Sequence, residues 1–340
     1  MHKGMMLALM LVAGCSRAAQ QAPPSHDGHA PAPAAQPEAE HADMSMERVR
    51  HNRQFLVSTE SLAVRLNRPG TTIIHVGRSD SAYLAAHIPG ARFVPLSALM
   101  TGGPVTAFPS VRELQRLFES LQMGDSNRVV IYGDDLGLLA ARAWIALDIL
   151  GQADRSALLD GGLQKWRAEN RPTESGQAMH TMQFVPFTPR PRDDVVVDAE
   201  WVRRRLGDST IVLVDARPAA QYTGAEDPPC APGNRGCRPI PAARRGHIPM
   251  ARNLFWQNAL VSAENPVLRP MHQLHHALWQ PTGADLPSTR TVVTYCRSGL
   301  QSGHAYFVAR YVGYPDVRIY EGSFADWAAR NARRFPVVRL

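Results

Sequence analysis

Cys296 sits in the run Val292-Val293-Thr294-Tyr295-Cys296-Arg297-Ser298-Gly299-Leu300-Gln301-Ser302-Gly303, where an apolar strand pattern gives way to a loop of small residues and then to a helical pattern. Thiolate, the nucleophilic form of cysteine, is favoured where backbone N–H groups, a helix N-terminus or a cation stabilise the negative sulfur. The segment offers all three. The stretch Arg297, Ser298, Gly299, Leu300, Gln301, Ser302 can curl into a nest of N–H groups, a helix is expected from about Gly303 through Tyr311, and Arg297 carries a fixed charge. Gly299 and Gly303 leave the backbone free to wrap the sulfur. A buried structural cysteine is the plain alternative, and these surroundings argue instead for a nucleophile.

Two other cysteine chemistries fail on spacing. A phosphatase loop needs an arginine six residues after the cysteine to grip phosphate with both guanidinium nitrogens, and that position is Ser302. A dithiol redox site needs a second cysteine at Cys-x-x-Cys spacing, where Gly299 stands. His247 lies in a turn sequence that also occurs around His87, which makes it structural, and His304 falls on the first turn of the expected helix. The loop alone accounts for a thiolate.

The elements that must position this loop come as a repeat. Thr72-Ile73-Ile74-His75-Val76-Gly77-Arg78, Tyr83 and His87-Ile88-Pro89-Gly90-Ala91 are echoed by Ile211-Val212-Leu213-Val214-Asp215-Ala216-Arg217, Tyr222 and His247-Ile248-Pro249-Met250-Ala251. Val129-Val130-Ile131-Tyr132 matches Val292-Val293-Thr294-Tyr295, and Asp160-Gly161-Gly162-Leu163-Gln164-Lys165-Trp166 matches Glu321-Gly322-Ser323-Phe324-Ala325-Asp326-Trp327. Strands alternating with helical stretches predict an α/β fold, each copy a parallel sheet with helices on both faces. The 340 residues divide into two domains, 51–176 and 195–340, joined by a proline-bearing linker at 177–194. Aligned on the strand, Gly133 replaces Cys296 and is followed by Asp134 and Asp135, so the first domain is expected to be inactive and to supply a wall of the site. Asp215 and Arg217, at a strand end, are expected to pair and support the site.

Residues 1–14 carry Lys3 and an apolar run too short to span a bilayer, which fits a signal segment. Its ending, Leu11-Val12-Ala13-Gly14-Cys15, resembles the lipobox of bacterial lipoproteins. That resemblance implies a lipid on Cys15, and Ser16 after it favours the periplasmic side of the outer membrane; otherwise the chain is expected to be periplasmic or secreted. Residues 15–50, rich in Ala, Pro, Gln, Glu and His, read as a flexible tether. His26, His29 and His41 are irregularly spaced, so no metal and no cofactor is expected. The charge of +7 is almost all arginine and spread along the chain, which suits a small anionic substrate and not nucleic acid.

Taken in order, the strand-end turn, the His-Ile-Pro stretch, the cysteine loop and the Gly-x-x-x-x-Trp ending resemble the tandem-domain rhodaneses, the thiosulfate and 3-mercaptopyruvate sulfurtransferase family, over nearly all of residues 51 to 335. The resemblance implies two tandem rhodanese-like domains and sulfur transfer through a persulfide on Cys296, from thiosulfate or mercaptopyruvate to a thiophilic acceptor such as cyanide or a thiol. A non-catalytic binding or sulfur-carrier module of the cell envelope is the alternative. Arg297 favours thiosulfate, whereas Gln221, where many members have an arginine, leaves a gap in the positive charge. Arg217 and His247 are 30 residues apart, against 9 for Arg78 and His87, so the second copy carries an insertion. Within it Arg235, Arg238, Arg244 and Arg245 are candidates to replace the missing charge, and Cys230 with Cys237 form either a static disulfide or a redox switch.

Overall fold

The computed structural model describes residues 52–66, 69–101, 107–178, 186–227, 239–274 and 290–340. Cys15, the tether, Cys230, Cys237, Arg235 and Arg238 lie outside the described residues. Among the described residues, ten strands form two five-stranded sheets, every pairing parallel. The first holds β1 (Leu56–Val57), β2 (Thr71–Gly77), β3 (Ala91–Pro95), β4 (Arg128–Gly133) and β5 (Ser156–Leu159) in the order β1-β5-β4-β2-β3. The second holds β6 (Val196–Val197), β7 (Ile211–Asp215), β8 (Arg252–Asn253), β9 (Thr291–Tyr295) and β10 (Val317–Tyr320) in the order β6-β10-β9-β7-β8. The two orders are one order repeated, as the sequence duplication predicts. β4 and β9 are central and buried on both faces, which is why they read as unbroken apolar runs.

Among the longer helices are α1 (Val111–Ser120), α2 (Leu138–Ile149), α3 (Gly162–Ala168), α4 (Leu300–Tyr311) and α5 (Ser323–Ala329). α1 begins at a capping box, in which the Ser110 hydroxyl accepts from Glu113 N–H and the Glu113 carboxylate accepts from Ser110 N–H. α2 follows the Gly133 loop and is apolar almost all round, the pattern of a helix with no solvent face. It packs against α4, the helix after the Cys296 loop. Trp144 meets Phe307 edge-on at 5.0 Å, and Gly303 lets the helices close, since a β-carbon there would stand 3.3 Å from Ile145 Cδ1. Gly303 therefore serves helix packing inside α4; the helix begins at Leu300, three residues earlier than the sequence suggests.

The α2–α4 contact fuses one apolar core across the two halves, with Trp144, Ile145, Tyr306 and Phe307 at its centre, while the outer face of each sheet keeps a core of its own. Burying each such side chain contributes roughly 1.5 to 3 kcal/mol. Asp148, buried on α2, accepts from Tyr306 Oη and Arg192 Nη1, both at 2.7 Å. The linker is also tied down. Thr188 donates to the Asp125 carboxylate through N–H and hydroxyl, and the N–H groups of Arg190 and Arg192 donate to Leu150 O and Ile149 O.

The two His-Ile-Pro turns are built alike. His87 Nδ1 bonds Tyr83 O at 2.8 Å and its ring stacks on Tyr83; His247 Nδ1 bonds Tyr222 O at 2.9 Å and stacks on Tyr222. Ile88 N–H donates to Tyr132 Oη and Ile248 N–H to Tyr295 Oη. Both histidines fix turns.

Candidate active site

Cys296 directly follows β9, and its sulfur faces the start of α4. Gly299 N–H points at Sγ from 3.1 Å and Ser302 Oγ lies 3.5 Å away, contacts that favour an anionic sulfur. Gly299 has φ 101°, a left-handed conformation that turns its N–H back on the sulfur and starts the helix. Thr294 Oγ1 donates to Ser302 O at 3.1 Å and ties the helix start to the strand. The helix N-terminus adds its partial positive charge.

A second segment closes the loop from outside. Ser323, held in a left-handed conformation, accepts Cys296 N–H on its hydroxyl at 3.3 Å, while Phe324 N–H and Ala325 N–H donate to the carbonyls of Cys296 and Arg297 at 2.9 and 3.1 Å. Cys296 is buried, Ser298, Leu300 and Gln301 are half-buried, and Leu300 packs on the shared core.

Arg297 and Arg217 each face a carboxylate beside the loop. Arg297 is ion-paired with Asp227, at the near edge of the insertion, so its charge is shared with a carboxylate. Asp215 and Arg217 form a buried pair at the end of β7, with Arg217 Nε 2.9 Å from Asp215 Oδ1, Nη2 2.5 Å from Oδ2 and a further bond to Gly246 O. Arg217 also lies over the Phe324 ring, 4.0 Å from its centroid. Arg244 is engaged with backbone near the C-terminus. Its guanidinium donates to the carbonyls of Trp327, Ala328 and Phe335 and thereby holds the C-terminal segment.

Sequence reasoning missed the residues that cross from the first domain. Arg142 of α2 is fully buried, its Nη2 3.3 Å from Glu321 Oε1, its Nε donating to Leu99 O at 3.2 Å and its guanidinium 3.3 Å from the Phe108 ring centroid. Phe108 N–H donates to the same Glu321 carboxylate. Burial lowers Arg142 to about 10, with Glu321 and Cys296 acting the other way, so it stays charged at neutral pH. The signal was legible: Arg142 and Asp148 are the two charges inside the otherwise apolar run from Leu138 to Leu150.

At the matching place in the first domain the loop Gly133-Asp134-Asp135-Leu136 is one residue longer before its own left-handed glycine, Gly137. Asp135 and Leu136 have φ near +60°. Asp134 bonds His75 at 3.1 Å, and Asp135 pairs with Arg78 at 2.8 Å. Sheet register puts His75 beside Tyr132 as Asp215 is beside Tyr295, so the strand ends align one residue away from the sequence match of Arg78 with Arg217. A cavity of about 630 Å³ opens at this first-domain loop, between Asp134, Asp135, Asp160, Leu268, His304 and Phe307. Asp134, Asp135 and Asp160 outnumber Arg167 in its lining, which includes no thiol.

Known proteins share this architecture. The profile of the family described as "Rhodanese-like domain" matches residues 58–169 and 198–330. Thermus thermophilus "Sulfur carrier protein TtuD" is 32% identical over 283 residues, covering 81% of this chain and 93% of the relative. Pseudomonas aeruginosa "Probable 3-mercaptopyruvate sulfurtransferase" is 31% identical, covering 80% and 94%, and Azotobacter vinelandii "Thiosulfate sulfurtransferase" 29%, covering 80% and 93%. The crystal structure of SseA from Escherichia coli superposes with a TM-score of 0.64 at 23% identity, over 79% of this chain and 98% of that one, a likeness of fold.

Proposed function

The chain belongs to the rhodanese family, and from that premise we propose that it is a sulfurtransferase working through Cys296, with thiosulfate as donor and 3-mercaptopyruvate as second choice. The observation that carries the reading is the cradle around one sulfur, with Gly299 N–H and Ser302 Oγ both aimed at Cys296 Sγ. The thiolate attacks the sulfane sulfur of thiosulfate, a new S–S bond forms, and the bond to the sulfonate breaks with its electron pair, releasing sulfite. The product is the persulfide Cys296-S-S⁻. Its terminal sulfur is then taken by cyanide, giving thiocyanate, or by a thiolate acceptor, and the Cys296 thiolate returns. A cradle of one N–H and one hydroxyl suits both anionic states because the single negative charge is conserved at the sulfur through the cycle.

Relatives named for thiosulfate and for mercaptopyruvate support this substrate class, and the relative named as a sulfur carrier supports delivery to a thiol acceptor. The same reading keeps the lipid on Cys15 and an outer-membrane, periplasmic-side location, supported by the run Leu11-Val12-Ala13-Gly14-Cys15-Ser16. Membrane fractionation of wild type and Cys15→Ala checks it, with release of the variant into the periplasm expected. Turnover of thiosulfate with cyanide tests the chemistry: Cys296→Ser falls to the uncatalysed background, and equal turnover in both proteins would sink the mechanism.

A further inference from the structure

We propose that the second domain holds a binding site for a small anion carried on an apolar group, an aromatic carboxylate in kind, in the cavity lined by Arg205, Arg252 and Arg290. The cavity measures about 240 Å³, below the usual range for drug-sized ligands, so its occupant is small. It lies at the N-terminal ends of β7 and β9, where Ile211 and Arg290 line it. Cys296 follows the other end of β9, so the length of that strand, roughly 16 Å, lies between cavity and nucleophile. The site goes beyond the sulfur-transfer reading and does not rest on it.

The cavity's charge is uncompensated. Among the described residues, Arg252 and Arg290 have no hydrogen-bond or ion-pair partner, and Arg205 has the carbonyl of Trp201, 3.4 Å from its Nη1. Arg252 Nη1 is buried. A guanidinium nitrogen withdrawn from water without an acceptor is costly, and an anion beside that guanidinium supplies both acceptor and counter-charge. The one carboxylate in the described lining is Asp208, whose Oδ1 is turned to Thr210, accepting from its N–H at 2.9 Å and its hydroxyl at 2.7 Å. Three guanidinium groups against one carboxylate leave an excess of positive charge.

Much of the remaining lining is apolar, with Trp201, Leu213 and Val293 in it. Arg205 lies over the Trp201 ring, 3.9 Å from its centroid. A bare oxyanion leaves this surface uncovered, whereas an apolar group attached to the anion removes it from water.

Comparison of the two copies marks the site as a feature of the second. Sheet register matches Arg92 with Arg252, since Ile74 pairs with Arg92 in the first sheet and Val214 with Arg252 in the second. Arg92 donates to Gln122 Oε1 at 2.8 Å; Arg252 has no such bond among the described residues. Two residues earlier, Gly90 with φ 73° corresponds to Met250 with φ 65°. That left-handed turn favours glycine, and methionine there strains the backbone and leaves a side chain 65% exposed beside the cavity. The apolar part of the ligand gives this side chain a surface to pack on.

The test follows the Met250 methyl group by NMR in the full chain labelled with methyl-13C methionine, with Met250→Leu identifying its signal among the 12 methionines. Benzoate carries charge and ring, benzamide the ring alone and sulfate the charge alone. Benzoate should shift the signal saturably, and benzamide and sulfate should each bind about tenfold more weakly or less. Arg252→Gln should weaken benzoate about tenfold, the scale of one charge-assisted hydrogen bond. Arg290→Gln, just before β9, should weaken it too and decides the question if Arg252→Gln does not fold. No saturation in wild type, or unchanged benzoate affinity in the folded variants, overturns the proposal. Benzamide binding as tightly as benzoate overturns the role of the arginines, and sulfate binding as tightly overturns the role of the apolar group.

Discussion

The Gly133 loop and the Cys296 loop both join a central parallel strand to a helix in the molecular interior, and both end in a left-handed glycine that starts that helix. From there they diverge. The second loop brings an N–H and a hydroxyl to one sulfur. The first is one residue longer, bends through left-handed Asp135 and Leu136, and carries carboxylates tied to His75 and Arg78. A β-carbon on Gly133 would stand 2.7 Å from Val76 O and 3.1 Å from Ala140 N, so this backbone has no room for a cysteine. The difference teaches that the first copy is not the second copy lacking one thiol. Its backbone has been rebuilt, and the first domain meets the segment beside the second loop through Arg142 and Phe108, both bonded to Glu321.

The largest effect is expected from a transplanted nucleophile. Gly133→Cys combined with Cys296→Ser should leave turnover at background and cost about 1 to 3 kcal/mol of stability through overpacking, measured by thiocyanate formation and urea unfolding. Measurable turnover in this double variant would mean that the first cradle is intact.

The two acids that end β5 and β10 give a second contrast, since Glu321 has Arg142 beside it and the Asp160 carboxylate accepts from Leu268 N–H at 2.9 Å. Burial raises Asp160 to about 6, with the Leu268 bond and Lys165 opposing. The protonated form is therefore favoured in the fold: its stabilisation is complete below the unfolded value near 4 and is lost as pH rises through about 6. On the order of 3 kcal/mol is at stake. Urea unfolding of Asp160→Asn should lack this decline while wild type shows it; matching pH profiles would mean that Asp160 has no such role. His304 runs in the opposite sense, with its stabilisation present above about 6.5 and lost as pH falls through about 4.

A smaller effect is expected at the helix start. Gly299→Ala must hold a β-carbon at φ 101°, a strain of about 1 to 2 kcal/mol, and relaxation of the turn would withdraw the N–H from Cys296 Sγ. Slower alkylation of Cys296 together with lower stability is the expected pair of results; unchanged alkylation would show that this N–H does not matter. Smallest is Asp227→Asn, which releases the Arg297 charge toward an anionic donor. The Michaelis constant for thiosulfate should fall about twofold to fivefold, the scale of a pair worth up to about 1 kcal/mol. A rise would mean that Asp227 holds the loop in its working shape.

The repeat, the parallel sheets and the nucleophile were legible in the sequence because each rests on local pattern: apolar strands, glycine turns and one cysteine at a strand end. The cross-domain pairing was not, because Arg142 and Glu321 are 179 residues apart in the chain and meet only in the folded interface. Arg297 looked like a substrate ligand because its partner, Asp227, is 70 residues away. Gly303 looked like loop freedom because the helix begins earlier than its apolar periodicity suggests, at the glycine whose conformation starts it.

The central claim is that sulfur is carried on Cys296 and nowhere in the first domain. Incubation of the full chain with thiosulfate, followed by peptide mass spectrometry under non-reducing conditions, addresses it directly. One added sulfur atom on the Cys296 peptide, removed on addition of cyanide, is the expected result. A Cys296 peptide that stays unmodified while thiocyanate accumulates would contradict it.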